Sequence, residues 1–467
     1  MALDVAQVRP TAVAGTFYPA DPAQLTRMVD DCLAKAPAFH GAPKAIVAPH
    51  AGYVYSGPIA GSAYAALHAR RREITRVVLL GPCHRVPVRT FAVPSHQAFA
   101  TPLGPVPIDR PTVQSLLRHD WILENDETHL PEHCLETQLP FLQRLLGDFS
   151  IVPIIVGAAP IALTERLLAE VWGGPETLIV ISSDLSHYND YDTARNMDLA
   201  ACQAIECLTP EALKDEQACG RYGIYGLIAR ARALDLRATT LDYRNSGDTA
   251  GRDDRAQVVG YAAMAFEEAA TASLSPEHRQ QLLNAAAQTI ASGIKNGKAP
   301  QVALESYAWP LRASRASFVT LKIGGKLRGC VGSVKPHQPM VTDVVGNAFK
   351  SAFGDQRFSP LSASELTEAE NNLSLSVSIL SHPRPMTFGS EQEATDSLRP
   401  GEDGLILQAP EGRGLFLPQV WESVAKPKDF LRHLKTKAGL PEDFWSDQVQ
   451  LFRFGTETFG AQVRAAA

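Results

Sequence analysis

A chain of 467 residues with a net charge of −6 and an isoelectric point near 6.1 is too long for one hydrophobic core, so two domains are expected. It has no Lys/Arg block and no basic-aromatic stripe, which argues against nucleic-acid or anionic-membrane surfaces and favours a small-molecule substrate. No window approaches the roughly 18 unbroken apolar residues of a membrane span, and MALDVAQVRPTAV lacks an apolar core of signal-peptide length, so a cytoplasmic protein with no membrane partner is expected.

From the N-terminus, helical patterns alternate with strand-like runs: DPAQLTRMVDDCLAKA, AIVAP, GPIAGSAYAALHARR, RVVLLG, LETQLPFLQRLLG, SIVPIIVG, ALTERLLAEVW and TLIVIS. Strands apolar on both faces and separated by helices read as the centre of a parallel sheet, the α/β arrangement. The strand-like AQVVGYAAMAF closes this part after the Gly- and Asp-rich loop RNSGDTAGRDDR. In EEAATASLSPE the apolar periodicity stops and Pro276 marks a helix start, so the domain boundary is placed there. Residues 1–268 then form an α/β parallel-sheet domain, and residues 275–467 a smaller α+β domain. In the latter, PEHRQQLLNAAAQTIASGIKNG reads as a helix and ASFVTLKIGGKLRGCVGSV as a hairpin turning on Gly324-Gly325. The runs LSLSVSIL, GLILQ and GLFLP and the helix KDFLRHLKTKAG follow, predicting a mainly antiparallel sheet.

Three of the early strands deliver a histidine at their ends: AIVAPH gives His50, RVVLLGPCH gives His84, and TLIVISSDLSH gives Asp184 and His187. Ligands of open α/β sheets bind at the carboxyl ends of the strands, so these side chains converge on one metal or acid/base site. Neutral imidazoles suit Fe, Zn, Cu or Ni, and two of them with a carboxylate make the facial triad of non-haem Fe(II) oxygenases. The carboxylate candidate is Asp248 in NSGDTAG, where an Asx-type turn is the competing reading. If SSDLSH begins a helix, Asp184 and His187 share a face, and the Asp orients the imidazole for proton transfer; otherwise Asp184 or Ser183 caps that helix. The cluster EHCLETQLP adds His133 and Glu136, the latter either a base behind the metal ligands or a capping-box acid.

These residues carry a resemblance. RPTAVAGTFYP, APHAGYVYSG, LGPCH, EHCLETQLPFLQ and SSDLSHY, in that order, resemble the Memo family (mediator of ErbB-driven cell motility) over nearly all of residues 6 to 267. The resemblance implies a fold like the catalytic subunit of class III extradiol dioxygenases. It further implies metal ligation by His50 and His84, a carboxylate as third ligand, and His187 as acid/base. Animal Memo proteins have a cysteine in the loop corresponding to 245 to 250; this chain has Asp248 there instead, which would restore the two-His-one-carboxylate pattern. A mononuclear divalent metal, Fe(II) with zinc or copper as alternatives, is the implied cofactor. The activity implied is that of a dioxygenase-like oxidoreductase, against a metal-binding scaffold or delivery protein and a zinc-dependent hydrolase.

SFVTLKIGGKLRGCVGS, GDQRFSPLSASEL, SVSILSHPRPM and GLFLPQVWE resemble the AMMECR domain family across about residues 275 to 463. The chain's seven cysteines are odd in number and contain no C-x-x-C pair, so neither a disulfide framework nor a structural zinc site is expected. Cys330, between Gly329 and Gly332, is either a core thiol or a nucleophile activated by Arg328 with His382 as base. Both families resemble members of the AmmeMemoRadiSam set, which implies a radical S-adenosylmethionine protein as a pathway partner.

Overall fold

The computed structural model describes residues 7–249, 255–268, 274–368 and 373–462. The chain divides into two compact units, Met1–Ser273 and Leu274–Ala467. Residues 269–273 of the expected linker and 250–254 of the Gly- and Asp-rich loop lie outside the described residues.

The first unit is built on a nine-stranded sheet. In chain order its strands are β1 (Ala45–Ala48), β2 (Arg76–Pro82), β3 (Phe91–Val93), β4 (Ile122–Glu124), β5 (Ser150–Val156), β6 (Thr177–Ser182), β7 (His187–Asn189), β8 (Leu236–Asn245) and β9 (Val258–Glu268). Its centre is parallel, in the order β1-β6-β2-β5. Every residue of β1 and β6 is buried, which is why these runs are apolar on both faces. At roughly 1.5–3 kcal/mol for each buried Val, Leu or Ile, this layer is the main stabilising element of the unit. The flanks are mixed: β9 pairs antiparallel with β1 and carries β7 and β8, while β3 runs antiparallel to β5 and parallel to β4.

The strand that composition hides is β8, LRATTLDYRN. Its charged residues break the apolar alternation, yet Asp242 is buried and satisfied by Ser62 Oγ at 2.8 Å and by Arg244. Because β1, β2 and β6 run in one direction, the turns after them, holding His50, His84 and Asp184, emerge at the same edge.

The second unit contains two four-stranded antiparallel sheets. Their strands are β10 (Ser317–Ile323), β11 (Lys326–Gly332), β12 (Leu373–Leu380), β13 (Arg384–Pro385), β14 (Gly404–Ala409), β15 (Gly412–Phe416), β16 (Gln450–Phe454) and β17 (Thr456–Gln462). The orders are β11-β10-β12-β17 and β13-β16-β14-β15. Gly324 and Gly325 have φ of +57° and +78°, the two positive values that a tight hairpin turn needs. Ser275 caps the helix Pro276–Asn296 by accepting from the His278 N–H at 3.1 Å. Leu282 and Ala286 of that helix pack with Val319, Leu321, Val344 and Val377. A second cluster holds Leu405, Leu407 and Leu434 with Trp421, whose ring stacks on Phe430 at 3.8 Å. Among the described residues, no helix is long and apolar enough to cross a membrane.

The apolar clusters of this second unit contain no residue before Leu274. Residues 274–467 produced alone are therefore expected to melt in one cooperative transition by circular dichroism. A broad, non-cooperative melt with dye-binding apolar surface would contradict that expectation.

Candidate metal centre

His50, in the turn after β1, is buried, and its ring Nδ1 lies 2.8 Å from Ser182 Oγ at the end of β6. That hydroxyl donates its single proton to the Cys134 carbonyl at 2.7 Å, so the His50 Nδ1 must be the donor toward it. The lone pair is then on Nε2. The same logic holds for His84 and His133, whose Nδ1 atoms face Glu132 Oε1 at 2.9 and 3.2 Å. A carboxylate accepts, so both rings present Nε2 as the free nitrogen. One ring nitrogen from each of His50, His84 and His133 lies within 4.8 Å of the others, and the three ring centroids are 4.8 to 5.4 Å apart.

Glu132 is the carboxylate behind this arrangement. It is buried and also accepts the backbone N–H groups of His84 (2.7 Å), His133 (2.9 Å) and Cys134 (3.1 Å). Burial alone would raise its carboxyl, but the hydrogen bonds from His133 and His84 outweigh that and hold it well below the usual range. Burial, then the neighbouring charges of His84 and His133, push His50 well below the usual imidazole value and keep it neutral, the form a metal needs. Close approach makes the cluster fit: a Cβ on Gly81 would stand 2.4 Å from Cys134 Sγ, and one on Gly220 would stand 2.5 Å from the Ser182 carbonyl.

Asp184 is buried beside the centre. It accepts the His50 N–H at 2.8 Å, and burial raises its carboxyl, against the opposing pull of that N–H and of His187. His187 is partly exposed and opens β7, paired with Val259; its charge is felt at both His50 and Asp184. The helix expected over SSDLSH is absent, because Ser183–Ser186 run irregularly into β7, so Asp184 and His187 share no helix face and neither Ser183 nor Asp184 caps one. That irregular loop is held by Asp198, which accepts from the Ser186 N–H at 2.9 Å and the Tyr243 hydroxyl at 3.0 Å.

Two carboxylates stand elsewhere than expected. Asp248 lies outside both residue groups suited to a metal; it accepts from the Tyr191 hydroxyl at 2.7 Å and the Asn245 N–H at 3.0 Å, contacts of a turn residue. Glu136 is neither a base at the centre nor a solvated cap: it is fully buried, ion-paired with Arg9, and accepts from Ala12 N, Val13 N and the Tyr18 hydroxyl at 2.6 to 3.0 Å. Sequence reasoning did not assign His133 to the metal shell and missed Glu132; the signal available was their adjacency in EHC. It also missed Cys219, whose Sγ lies 3.4 Å from His50 Nε2.

In the second unit, Cys330 is partly exposed on β11, and its Sγ accepts from Thr320 Oγ1 at 3.3 Å. Its expected helpers face other groups. Arg328 forks onto Glu365 at 2.8 and 3.0 Å, and buried His382 has its Nε2 against Arg315. His382 also lies beyond the end of β12, six residues past the Ser376 that is level with Cys330 through Thr320.

A family model described as Memo-like protein matches residues 9–265, and one described as AMMECR1 matches residues 283–459. A MEMO1 family protein of Aquifex aeolicus is 40% identical over 272 residues, covering 56% of this chain and 99% of that protein. One from Archaeoglobus fulgidus is 38% identical over 275 residues, covering 56% and 99%. Among solved structures, an uncharacterized protein from Pyrococcus horikoshii aligns at 29% identity over 42% of this chain and 96% of its own, with a TM-score of 0.37.

Glu136→Gln should lower stability by about 3–5 kcal/mol, because it leaves Arg9 buried without its counter-charge. Denaturant titration checks this, and a loss below about 1 kcal/mol would show that the pair is dispensable. Burial lifts the Asp198 carboxyl from its ordinary 3.8 to about 6. The folded state thus holds that proton more tightly, and the stability it contributes is complete below about pH 4 and lost as pH rises through about 6. Asp198→Asn should remove this loss, on the order of 3 kcal/mol, making the variant more stable than wild type at pH 8 but not at pH 4. Parallel pH-stability curves for the two proteins would refute it.

Proposed function

Since the chain belongs to the Memo-like family and carries an AMMECR1 domain, we propose that its first unit is a mononuclear metal enzyme of the extradiol-dioxygenase type, an oxidoreductase using Fe(II). The observation that supports this reading is the convergence of His50, His84 and His133, whose Nδ1 atoms are engaged so that each Nε2 carries the lone pair, that of His50 facing Cys219 Sγ. The donor set fits: neutral imidazoles suit Fe(II), Zn and Cu, and Glu132 orients two of them from behind. When bound, the metal would supply Lewis acidity and open coordination positions for an O₂-reactive substrate. Asp184 fixes the His50 backbone, and His187, a partly exposed imidazole, would take or return a substrate proton.

Three neutral ligands also describe zinc sites that activate water, so a zinc-dependent hydrolase is the second reading. A cytoplasmic location, expected from the want of any membrane-length apolar run, and a radical S-adenosylmethionine protein as pathway partner, implied by the family resemblance alone, are further parts of the proposal.

Anaerobic reconstitution with Fe(II), metal analysis and oxygen uptake over a catechol panel form the test. His50→Ala/His84→Ala and His133→Ala should each abolish metal retention, and Glu132→Gln should weaken it about 10–100-fold. Asp248→Ala should keep full metal content, and His187→Gln should keep metal while losing turnover. Undiminished metal in His133→Ala would remove that residue from the centre. Turnover with Zn(II) alone would favour the hydrolase, and metal retention without any turnover would make the unit a metal-binding scaffold.

A further inference from the structure

Beside the candidate metal centre the sheet edge opens into a cleft of about 280 Å³, lined in part by His84 and Cys219. Roughly 150 Å³ is enough to hold a benzene ring, so the cleft admits a single-ring molecule with one substituent group. Part of its wall is apolar, with Val88 and Val156. Two cationic side chains, Arg85 and Arg221, also line it.

Neither guanidinium has a buried counter-charge among the described residues. Arg85 is exposed, directly follows His84, and its side chain has no hydrogen-bond or ion-pair partner among the described residues. Arg221 has Asp215 at 3.4 Å, but that carboxylate is 83% exposed, and such a pair leaves a guanidinium largely available to another anion. The Tyr222 ring lies under Arg221, 4.6 Å from guanidinium carbon to ring centroid, and its hydroxyl accepts from a terminal Arg221 nitrogen at 3.4 Å; Nε, the atom that faces Asp215, makes no hydrogen bond among the described residues. The acids of the adjoining centre are already engaged, Glu132 by two imidazoles and Asp184 by the His50 N–H. Two forked, always-charged donors lining one cleft suit a planar oxyanion, which a guanidinium can hold bidentately.

We propose that the cleft selects substrates carrying a carboxylate or phosphate group, seated on Arg85 and Arg221, with the apolar remainder against Val88 and Val156 and facing His84. The identity of the reacting centre rests on the metal-enzyme reading above; the anion seat itself needs no metal.

The test is calorimetric titration of the full-length apoprotein with benzoate, phenyl phosphate and the neutral isostere benzamide. Benzoate or phenyl phosphate should bind measurably tighter than benzamide, and the tighter of the two names the oxyanion. Arg85→Gln/Arg221→Gln should weaken anion binding at least about tenfold, the loss of charged hydrogen bonds, while Arg85→Gln alone alters an exposed side chain and should give a smaller loss in the same direction. Benzamide binding as tightly as both anions, or unchanged anion affinity in both arginine variants, would overturn the proposal. His133→Ala separates the two readings: it should lose metal and keep anion binding, since His133 does not line the cleft. Anion binding lost together with the metal in that variant would also overturn the metal-independent seat.

Discussion

One buried carboxylate sets the geometry of the first unit's functional edge. Glu132 receives five hydrogen bonds, from two imidazole rings and three backbone N–H groups. Those donors belong to two segments far apart in sequence, the turn after β2 and the segment leading to the helix Leu139–Leu145. A carboxylate removed from water is costly unless its lone pairs are filled, and here they are filled only when both segments are in register. The position of His84 relative to His133 is therefore a consequence of satisfying Glu132. His50 is fixed separately, through Ser182 and Asp184, by the parallel pairing of β1 with β6.

The parallel core was legible because strands buried on both faces must be apolar throughout, and the ends of such strands mark where ligands bind. His50 and His84 follow from that rule. His133 and Glu132 do not, because residues 126–138 form short helical turns without periodicity, and only the packed sheet shows that they lie over β2. Glu136 was misplaced for a related reason: its partner Arg9 is 127 residues away, and no local pattern announces a long-range buried pair. Asp184 and His187 were grouped by helical spacing although the chain there is irregular, and Asp248 by its glycine-flanked loop although Tyr191 and Asn245 already engage it. Local spacing names candidate residues; which of them meet is decided by tertiary contacts.

In the second unit the turn of the hairpin β10–β11 was readable at Gly324-Gly325, since two glycines with positive φ are what it demands. The environment of Cys330 was not. Arg328 is drawn away by Glu365, and Arg357, which donates to the Cys330 carbonyl at 3.0 Å, comes from a loop with no strand or helix signature. The Cys330 N–H is itself held by Asp355 at 2.9 Å. Backbone restraint, rather than an adjacent base, is the feature surrounding this thiol.

Arg9 reaches from the start of the chain to the carbonyls of His129, Leu130 and Glu132 as well as to Glu136. Arg9 is thus the clamp on the segment that supplies the third imidazole. During synthesis Arg9 has nothing to grip until more than a hundred further residues have emerged, and Ser182, which orients His50, comes later still. Half-made chains therefore display these histidines before the groups that orient them, and the three imidazoles take up their arrangement only after Ser182 has been synthesised.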